Sequence, residues 1–213
     1  MKYEWRKKDK AIYIPKTKPE IIELQPYTYI SISGKGNPGS DNFSKDIEAL
    51  YGLSYTIKMS PRKGFVIDGY YDYVVFPLEG VWNLNDKGKD LYKQGTPVIE
   101  LKDFFVYDLM MRQPDFVTKE WFEEFRVLAS KAKKNPNILD IKYVVSKKKL
   151  VCQCLHLGSY DNEPGTFMMM EDYCIENRYN RKSKVHTEIY LSDARKTEVV
   201  KLKTTLRFDI IKK

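Results

Sequence analysis

The sequence is poor in the residue types that most often carry out catalysis. Of its 213 residues, only two are histidine and three are cysteine. No Ser-His-Asp or Cys-His arrangement is apparent, and only His156 and His186 are available as imidazole bases. Hydrolysis by this chain would therefore depend on carboxylate and tyrosine side chains.

Long apolar runs are also missing. A membrane-spanning helix needs ~20 apolar residues, and no segment of this chain approaches that length. The odd number of cysteines and the lack of a signal-peptide pattern indicate a reducing compartment rather than a disulfide framework. We therefore predict a cytoplasmic location and no membrane partner.

The chain also lacks a clear cofactor or metal motif. Residues 34–39 are rich in glycine but lack the Gly-Lys-Ser/Thr ending of a phosphate-binding loop, so a strand–helix turn is the simpler interpretation. Cys152, Cys154 and His156 alternate on one strand face, ~7 Å apart, and no fourth zinc ligand is obvious. They are interpreted as small apolar cysteines plus a histidine that is hydrogen-bonded or at a groove edge. We predict no cofactor and no metal.

Positive charge is in excess, with a formal net charge of +8. Such a charge could attract nucleic acid or an anionic membrane. The lysines are nevertheless scattered beside acidic residues, and the clusters at residues 131–134 and 147–149 fall at an expected helix end and an expected turn. Because lysine complements the dipole at a helix C-terminus, we interpret the charge as a solvated surface and predict no nucleic-acid partner.

Aromatic residues are abundant, with 16 tyrosines, 10 phenylalanines and 3 tryptophans. Hydrophobic residues make up 42% and charged residues 31%, which is typical of a globular chain. Tyrosine suits the wall of a pocket for a ring-shaped ligand. It also packs half-buried sheets, so a structural role is the alternative for each tyrosine.

The order of the elements predicts an α+β fold. Residues 1–25 are charged and broken by prolines, so we expect an irregular arm packed on the domain. The predicted strands are residues 27–33, 64–69, 70–77, 104–111, 141–146, 150–157, 185–193 and 201–211. The predicted helices are residues 43–59, 119–134 and 164–177, and residues 77–82, 83–96 and 177–184 are predicted as a turn, a polar loop and a basic loop.

The two halves of the chain share one plan. Each has a strand ending in glycine, a polar loop, a helix and further strands, so that Gly34 corresponds to Gly158 and residues 73–77 correspond to the Glu188 region. Two such units could merge their mostly antiparallel sheets and leave a groove at the seam, where ligands often bind. We predict one domain over residues 26–213, with a first unit at about 26–112, a connecting helix at about 118–135 and a second unit at about 138–213.

A carboxylate stands in the middle of the apolar strand at residues 185–193. Alternation puts Glu188 and Tyr190 on one face and Thr187, Ile189 and Leu191 on the other. Burying an uncompensated carboxylate is costly. Glu188 therefore faces water, or it is paired, protonated or in use in a pocket.

Other side chains are candidates for ligand contact. Glu79 and Trp82 lie in the predicted turn, and a tryptophan face stabilises cations and flat rings, although an ordinary turn with an anchoring tryptophan is the alternative. Residues 168–170 are three methionines on a helix, which suit an adaptable ligand wall or fill the core. The remaining candidates are Tyr55, Tyr73, Tyr107, Trp121, His156, Tyr160 and Met169.

Five motifs, taken in order, resemble the stand-alone GyrI-like small-molecule-binding proteins of the SOUL/GyrI-like effector-binding superfamily. They are residues 34–39, 49–58, 77–82, 155–164 and 186–193, so the resemblance covers nearly the whole chain. It implies two β-α-β-β units in a pseudo-two-fold arrangement with a ligand groove between them. The same fold serves as the effector-binding domain of bacterial multidrug-sensing activators, where an acidic residue at the position of Glu188 faces cationic aromatic drugs.

The resemblance also implies an enzymatic alternative. Some stand-alone members are similar to hydrolases that open the cyclopropane ring of DNA-alkylating cyclopropanoid natural products, a detoxification. On that basis Glu188 and Tyr190 are the predicted catalytic residues. Glu79, Trp82 and Tyr160 match family positions that line the groove.

Two functions stay open at this point. The chain either captures flat, hydrophobic and often cationic molecules, or it hydrolyses them with Glu188 as general base and Tyr190 or Tyr160 hydrogen-bonded to the substrate carbonyl. A transcription regulator is disfavoured because the first 25 residues are too short for a helix-turn-helix domain. The natural ligand, and whether the protein is a monomer or a homodimer, are left open.

Overall fold

Residues 2–213, which the computed structural model of the chain describes, contain one antiparallel nine-stranded sheet with helices. The strands are β1 (Glu20–Leu24), β2 (Thr28–Lys35), β3 (Leu78–Leu84), β4 (Phe105–Arg112), β5 (Lys142–Val145), β6 (Lys149–Leu157), β7 (Tyr179–Arg181), β8 (His186–Tyr190) and β9 (Lys203–Lys212). The helices are α1 (Trp5–Lys8), α2 (Lys10–Tyr13), α3 (Asp41–Lys58), α4 (Asp86–Lys93), α5 (Lys119–Ala132) and α6 (Glu163–Glu176). The predicted α+β class is confirmed.

Two β-α-β-β units build the sheet. The first contains β2, α3, β3 and β4, and the second contains β6, α6, β8 and β9. The strand order is β1-β6-β9-β8-β3-β4-β2-β5, and β7 pairs with β9. Outward from the middle of the sheet, the first unit has the order β3, β4, β2 and the second unit has the order β8, β9, β6. Each unit thus places its second, third and first strand in the same sequence, which is the expected pseudo-two-fold arrangement. The seam between the units is therefore the antiparallel pair of β3 and β8.

The strand β3 lies where a turn was predicted, so the interpretation of residues 77–82 was wrong. Gly80 and Glu79 lower the local strand propensity, but β4 and β8 flank β3 and supply hydrogen-bond partners for its backbone. The predicted strands at residues 64–69 and 70–77 do not form, apart from a single bridge between Tyr3 and Tyr73. The counterpart of β8 in the first unit is thus β3 rather than residues 73–77.

The N-terminal arm is more regular than predicted, because it contains α1, α2 and β1. The strand β1 extends the sheet by pairing with β6, with Ile21 opposite Cys152. The helical part of the arm lies on the sheet face opposite α3 and α6. There the Thr205 hydroxyl donates a hydrogen bond to the Tyr13 carbonyl at 2.7 Å, and Trp5 is buried.

Local capping explains where the helices begin. The Ser40 hydroxyl accepts a hydrogen bond from the Phe43 N–H at 3.3 Å, and Thr118 serves α5 in the same way. The predicted polar loop at residues 83–96 contains α4, because the Asn85 side chain accepts from the Gly88 N–H at 2.9 Å. The predicted basic loop at residues 177–184 likewise contains the short strand β7.

Two apolar clusters form the core. The larger one joins α3, α5, the first unit of the sheet and the arm, and it includes Ile189 of β8. The smaller one lies between α6 and the strands β6 and β9, and it contains the three cysteines as buried free thiols. None of the helices in residues 2–213 combines the length and apolar character that a bilayer crossing demands.

Candidate functional site

The side chains of β3 and β8 meet on the sheet face that α3 and α6 cover. Gly80 lies opposite Glu188, and Trp82 lies opposite His186. Because alternate residues of a strand point to the same face, the side chains of Trp82, His186 and Glu188 share one face at the seam, and Gly80 leaves space on that face. The ring of Phe43, on α3, lies 5.7 Å from Trp82. We call this place the seam site.

A chain of hydrogen bonds orients the central carboxylate. The Trp82 indole N–H donates to the Tyr190 hydroxyl oxygen at 2.9 Å. The Tyr190 hydroxyl in turn donates to Glu188 Oε2 at 2.9 Å. Burial and the neighbouring Glu188 carboxylate raise the pKa of Tyr190 well above its ordinary value, so the phenol keeps its proton and remains a donor. The two predicted catalytic residues are thus in direct contact.

Gly80 makes room for this chain. A Cβ at position 80 would lie 2.7 Å from the Trp82 indole nitrogen and 3.1 Å from the Tyr190 hydroxyl. Any larger residue would therefore push apart the two groups that hold Glu188. The glycine is required by a close approach of side chains rather than by a turn.

A second carboxyl group faces Glu188. Glu163 lies in the first turn of α6 and is 5% exposed. Burial, followed by the charge and hydrogen bonding of Glu188, raises the pKa of Glu163 well above its ordinary value. The ligand atoms of the two carboxyl groups lie within 4.8 Å of each other, and a like charge at this distance disfavours ionisation of the second group. The seam site therefore favours the protonated form of Glu163.

His186 completes the polar cluster. Its Nε2 lies 3.3 Å from Glu188 Oε1, and its Nδ1 lies 3.2 Å from the Lys184 carbonyl oxygen. The Phe167 ring of α6 packs edge-on against the imidazole at 4.8 Å. The side chains of His186 and Glu188 are 21% and 13% exposed, so both are within reach of a ligand.

Aromatic rings flank the carboxylates. Tyr160 stands edge-on to Tyr190, with ring centroids 6.1 Å apart. Burial and then Glu188 raise the pKa of Tyr160 to about 12. Tyr107 lies 5.4 Å from Trp82, and its hydroxyl donates to Asp46 at 3.0 Å. The seam site is thus an acidic cluster within an aromatic surround.

Glu79 is separated from the seam site by the sheet. It neighbours Gly80 on β3, so its side chain points to the opposite face, on the side of Arg207 and Arg112. Glu79 is 2% exposed. Burial raises its pKa to about 7 against the opposing effect of Arg207, Arg112 and Lys149.

The structure places the other predicted ligand contacts apart from Glu188. Tyr73 lies in the core beside Phe76, Trp121 stacks on Phe125, and Tyr55 is exposed beside Tyr51 on α3. His156 is buried and bonded through Nδ1 to the Thr166 hydroxyl at 2.8 Å and through Nε2 to the Ser159 carbonyl at 2.9 Å. Met169 lines a surface cavity with Pro19 and Met168.

Two residues of the seam site were not predicted from the sequence, Glu163 and Gly80. Glu163 precedes Pro164 at a helix start, where an acidic residue ordinarily complements the helix dipole, so its position alone gives no sign of the contact with Glu188. Gly80 looked like a turn residue. Its place in the middle of an acid-glycine-aromatic segment was the one available signal of close packing.

Comparison with known proteins identifies relatives of the whole chain. The family model described as GyrI-like small molecule binding domain matches residues 17–210. A structure described as a hydrolase from Listeria innocua is 32% identical, with a TM-score of 0.86 over 99% of this chain and 100% of that chain. An uncharacterized conserved protein from Listeria innocua is 33% identical, with a TM-score of 0.87 over the same shares.

A more distant structure shares the fold. The EcmrR C-terminal domain is 13% identical, with a TM-score of 0.51 over 95% of this chain and 99% of that chain. No curated protein sequence matches this chain. The family model and the two Listeria innocua structures thus each match most or all of the chain.

Proposed function

This chain belongs to the GyrI-like family of small-molecule-binding domains, and we propose that it captures flat, hydrophobic and often cationic molecules at the seam site. The observation that carries the proposal is the Trp82–Tyr190–Glu188 hydrogen-bond chain. It fixes a carboxylate on the shared face of the two units, next to aromatic rings. The cytoplasmic location expected from the cysteines stays a prediction.

The physical basis is the attraction of a cation by a carboxylate and rings in a partly dry site. Coulomb attraction strengthens as water is excluded, and aromatic faces attract cations by about 0.5–2 kcal/mol each. Tyr160, which is 36% exposed, offers a ring at the edge of the site. A flat aromatic cation is attracted both by the carboxylate and by the aromatic rings, whereas a small anion is attracted by neither.

Binding of ethidium, a flat aromatic cation, tests the capture proposal. We expect saturable binding in a fluorescence titration and a loss of about tenfold to a hundredfold in affinity for Glu188→Gln, since each factor of ten corresponds to ~1.4 kcal/mol. Glu176→Gln, an exposed position at the other end of α6, is the matched control and keeps the affinity. Equal affinity in Glu188→Gln and the control would contradict the proposal.

Hydrolysis of a cyclopropanoid is the second candidate. It is favoured by the donation from Tyr190 to Glu188 and by the likeness to a Listeria innocua structure described as a hydrolase. In this reaction Glu188 takes a proton from water and the water oxygen bonds to a cyclopropane carbon. The C–C bond breaks, and its electron pair moves to a conjugated carbonyl, whose oxygen accepts a hydrogen bond from Tyr160. This oxygen then takes up one proton through solvent, and Glu188 gives up the proton it removed from water, which regenerates the carboxylate.

Turnover of a synthetic cyclopropyl-cyclohexadienone separates the two candidates. An enzyme would open the ring with a rate that falls by ~10²–10⁴ in Glu188→Gln, measured by the change in ultraviolet absorbance. A binding protein takes up the compound without opening it. Equal turnover by the wild type and Glu188→Gln would exclude Glu188 as the base.

A further inference from the structure

The seam site brings together three side chains of the kind that ligate metals. One ligand atom from each of Glu163, His186 and Glu188 lies within 4.8 Å of the others. The three come from two elements, since Glu163 begins α6 while the other two lie on β8. Ligand atoms at ~2.0–2.2 Å from a zinc ion lie ~3–4 Å from one another, so small side-chain rotations would close the cluster around one ion.

The imidazole is oriented as a metal ligand requires. When Nδ1–H of His186 donates to the Lys184 carbonyl, Nε2 presents a lone pair toward Glu188 Oε1, at 3.3 Å. Metal-bound histidines ordinarily donate their other N–H to a carbonyl or a carboxylate in this way. Two lone pairs that face each other at this distance repel unless a cation or a proton lies between them.

The second carboxyl group supplies an independent observation. Glu163 is 5% exposed, and its Oε1 is buried with no hydrogen-bond partner among the described residues. A buried carboxyl oxygen without a donor is costly. The Glu188 carboxylate is meanwhile held by the Tyr190 hydroxyl through Oε2, which leaves Oε1 directed toward His186.

We propose that Glu163, His186 and Glu188 bind one divalent transition-metal ion. Two carboxylates and one imidazole suit Zn²⁺ or Mn²⁺, whereas Ca²⁺ needs six to eight oxygen ligands. The ion would offset the charge of the two carboxylates and satisfy the unpartnered Glu163 oxygen. It would also keep a coordination position for water or a ligand atom. The site does not depend on the organic ligand proposed above, because the test contains the metal alone.

Calorimetric titration of the chelator-treated, tag-free full chain with ZnCl₂ tests this proposal. We expect one Zn²⁺ per chain and a loss of affinity of about a hundredfold or more in Glu163→Gln, because one of three ligands is replaced by a weaker one. Glu176→Gln is the control and keeps the wild-type affinity. Glu163→Gln is expected to fold, because the amide has nearly the same size and shape as the carboxyl group that it replaces.

X-ray absorption on the zinc-loaded protein supplies a second readout. A shell of nitrogen and oxygen neighbours at ~2.0–2.2 Å with the signature of one imidazole is expected, and this signature is lost in His186→Asn. No saturable Zn²⁺ binding, or equal affinity in Glu163→Gln and the control, would overturn the proposal. The cluster would then share protons only.

Discussion

At the scale of the residue, the two faces of the seam give two carboxyl groups opposite environments. Glu188 is partly exposed and held by a phenol, whereas Glu79 is fully buried beneath the arm. Glu79 Oε1 has no hydrogen-bond partner among residues 2–213. Desolvation outweighs the nearby Arg207 and Arg112, and the pKa of Glu79 rises to about 7.

The raised pKa of Glu79 predicts a pH dependence of stability. The folded protein holds this proton up to about pH 7, whereas a glutamate of the unfolded chain loses it near pH 4.5. The folded state thus binds more protons in this window, so the free energy of unfolding falls as the pH rises through it. At ~1.4 kcal/mol per pH unit, the loss by pH 8 is of the order of 3 kcal/mol.

Glu79→Gln removes the group that titrates, and with it this loss of stability at high pH. Urea denaturation at pH 5 and pH 8 should show a smaller decrease in the free energy of unfolding for the variant than for the wild type. Other groups that titrate, Glu163 among them, contribute equally to both proteins and cancel in the difference. Parallel pH profiles for the two proteins would show that Glu79 is ionised in the folded state.

Gly80→Ala tests the close packing beneath Glu188. The added Cβ would lie 2.7 Å from the Trp82 indole nitrogen, so we expect a loss of ~1–3 kcal/mol in stability and weaker ethidium binding. Gly52→Ala, in the interior of α3, meets only atoms at 3.8 Å. It should gain ~0.5–1 kcal/mol from helix propensity. Thermal denaturation measures the expected loss of stability in Gly80→Ala and the expected gain in Gly52→Ala. Equal stabilities of the two variants would contradict close packing at Gly80.

At the scale of the element, the arm is a structural part of the sheet. The Trp5 indole N–H donates to the Val75 carbonyl at 2.9 Å, and its ring lies 5.3 Å from that of Tyr13. Backbone carbonyls of the arm accept hydrogen bonds from Arg207 and Thr205 of β9. The arm therefore closes the face of the seam opposite the seam site.

Trp5→Ala should loosen this cover. Deleting a fully buried tryptophan ordinarily lowers stability by ~3–5 kcal/mol through lost burial and the cavity left behind. Lys7→Ala, at an exposed position of the same helix α1 whose side chain pairs with Glu4, should change stability by less than ~1 kcal/mol. Urea denaturation compares the two. If the arm only rested on the surface, both Trp5→Ala and Lys7→Ala would change the free energy of unfolding by small amounts.

At the scale of the whole molecule, the seam joins the two units by strand pairing and by shared core packing. Ile189 belongs to β8 of the second unit, yet it packs into the core of the first. It is fully buried and stands opposite Glu79. The core of the first unit is therefore completed by a side chain of the second.

Ile189→Ala should destabilise both units together. We expect a loss of ~2–5 kcal/mol, and hydrogen exchange should accelerate in β4 and in β9 to a similar extent. Leu157→Ala, at a position that is 51% exposed, serves as the control and should change little. Faster exchange in β9 with unchanged protection in β4 would indicate two independently folding units.

The elements with local signals were predicted within a few residues. The predicted helices at residues 43–59, 119–134 and 164–177 compare with α3, α5 and α6 at Asp41–Lys58, Lys119–Ala132 and Glu163–Glu176. Their caps, prolines and apolar periodicity lie within the segment itself. The strand β3 was missed because it is specified by its neighbours on both sides rather than by its own composition.

The sequence by itself determined which side chains share a face of β8, so Glu188 and Tyr190 emerged together from alternation alone. It also determined the α+β class and the two-unit plan through the order of the elements. Only the tertiary structure decided that Gly80 lies opposite Glu188, that Glu163 reaches the same site and that Glu79 does not. The reason is physical: the register between distant strands is set by pairing and burial across the whole sheet, and no local pattern encodes it.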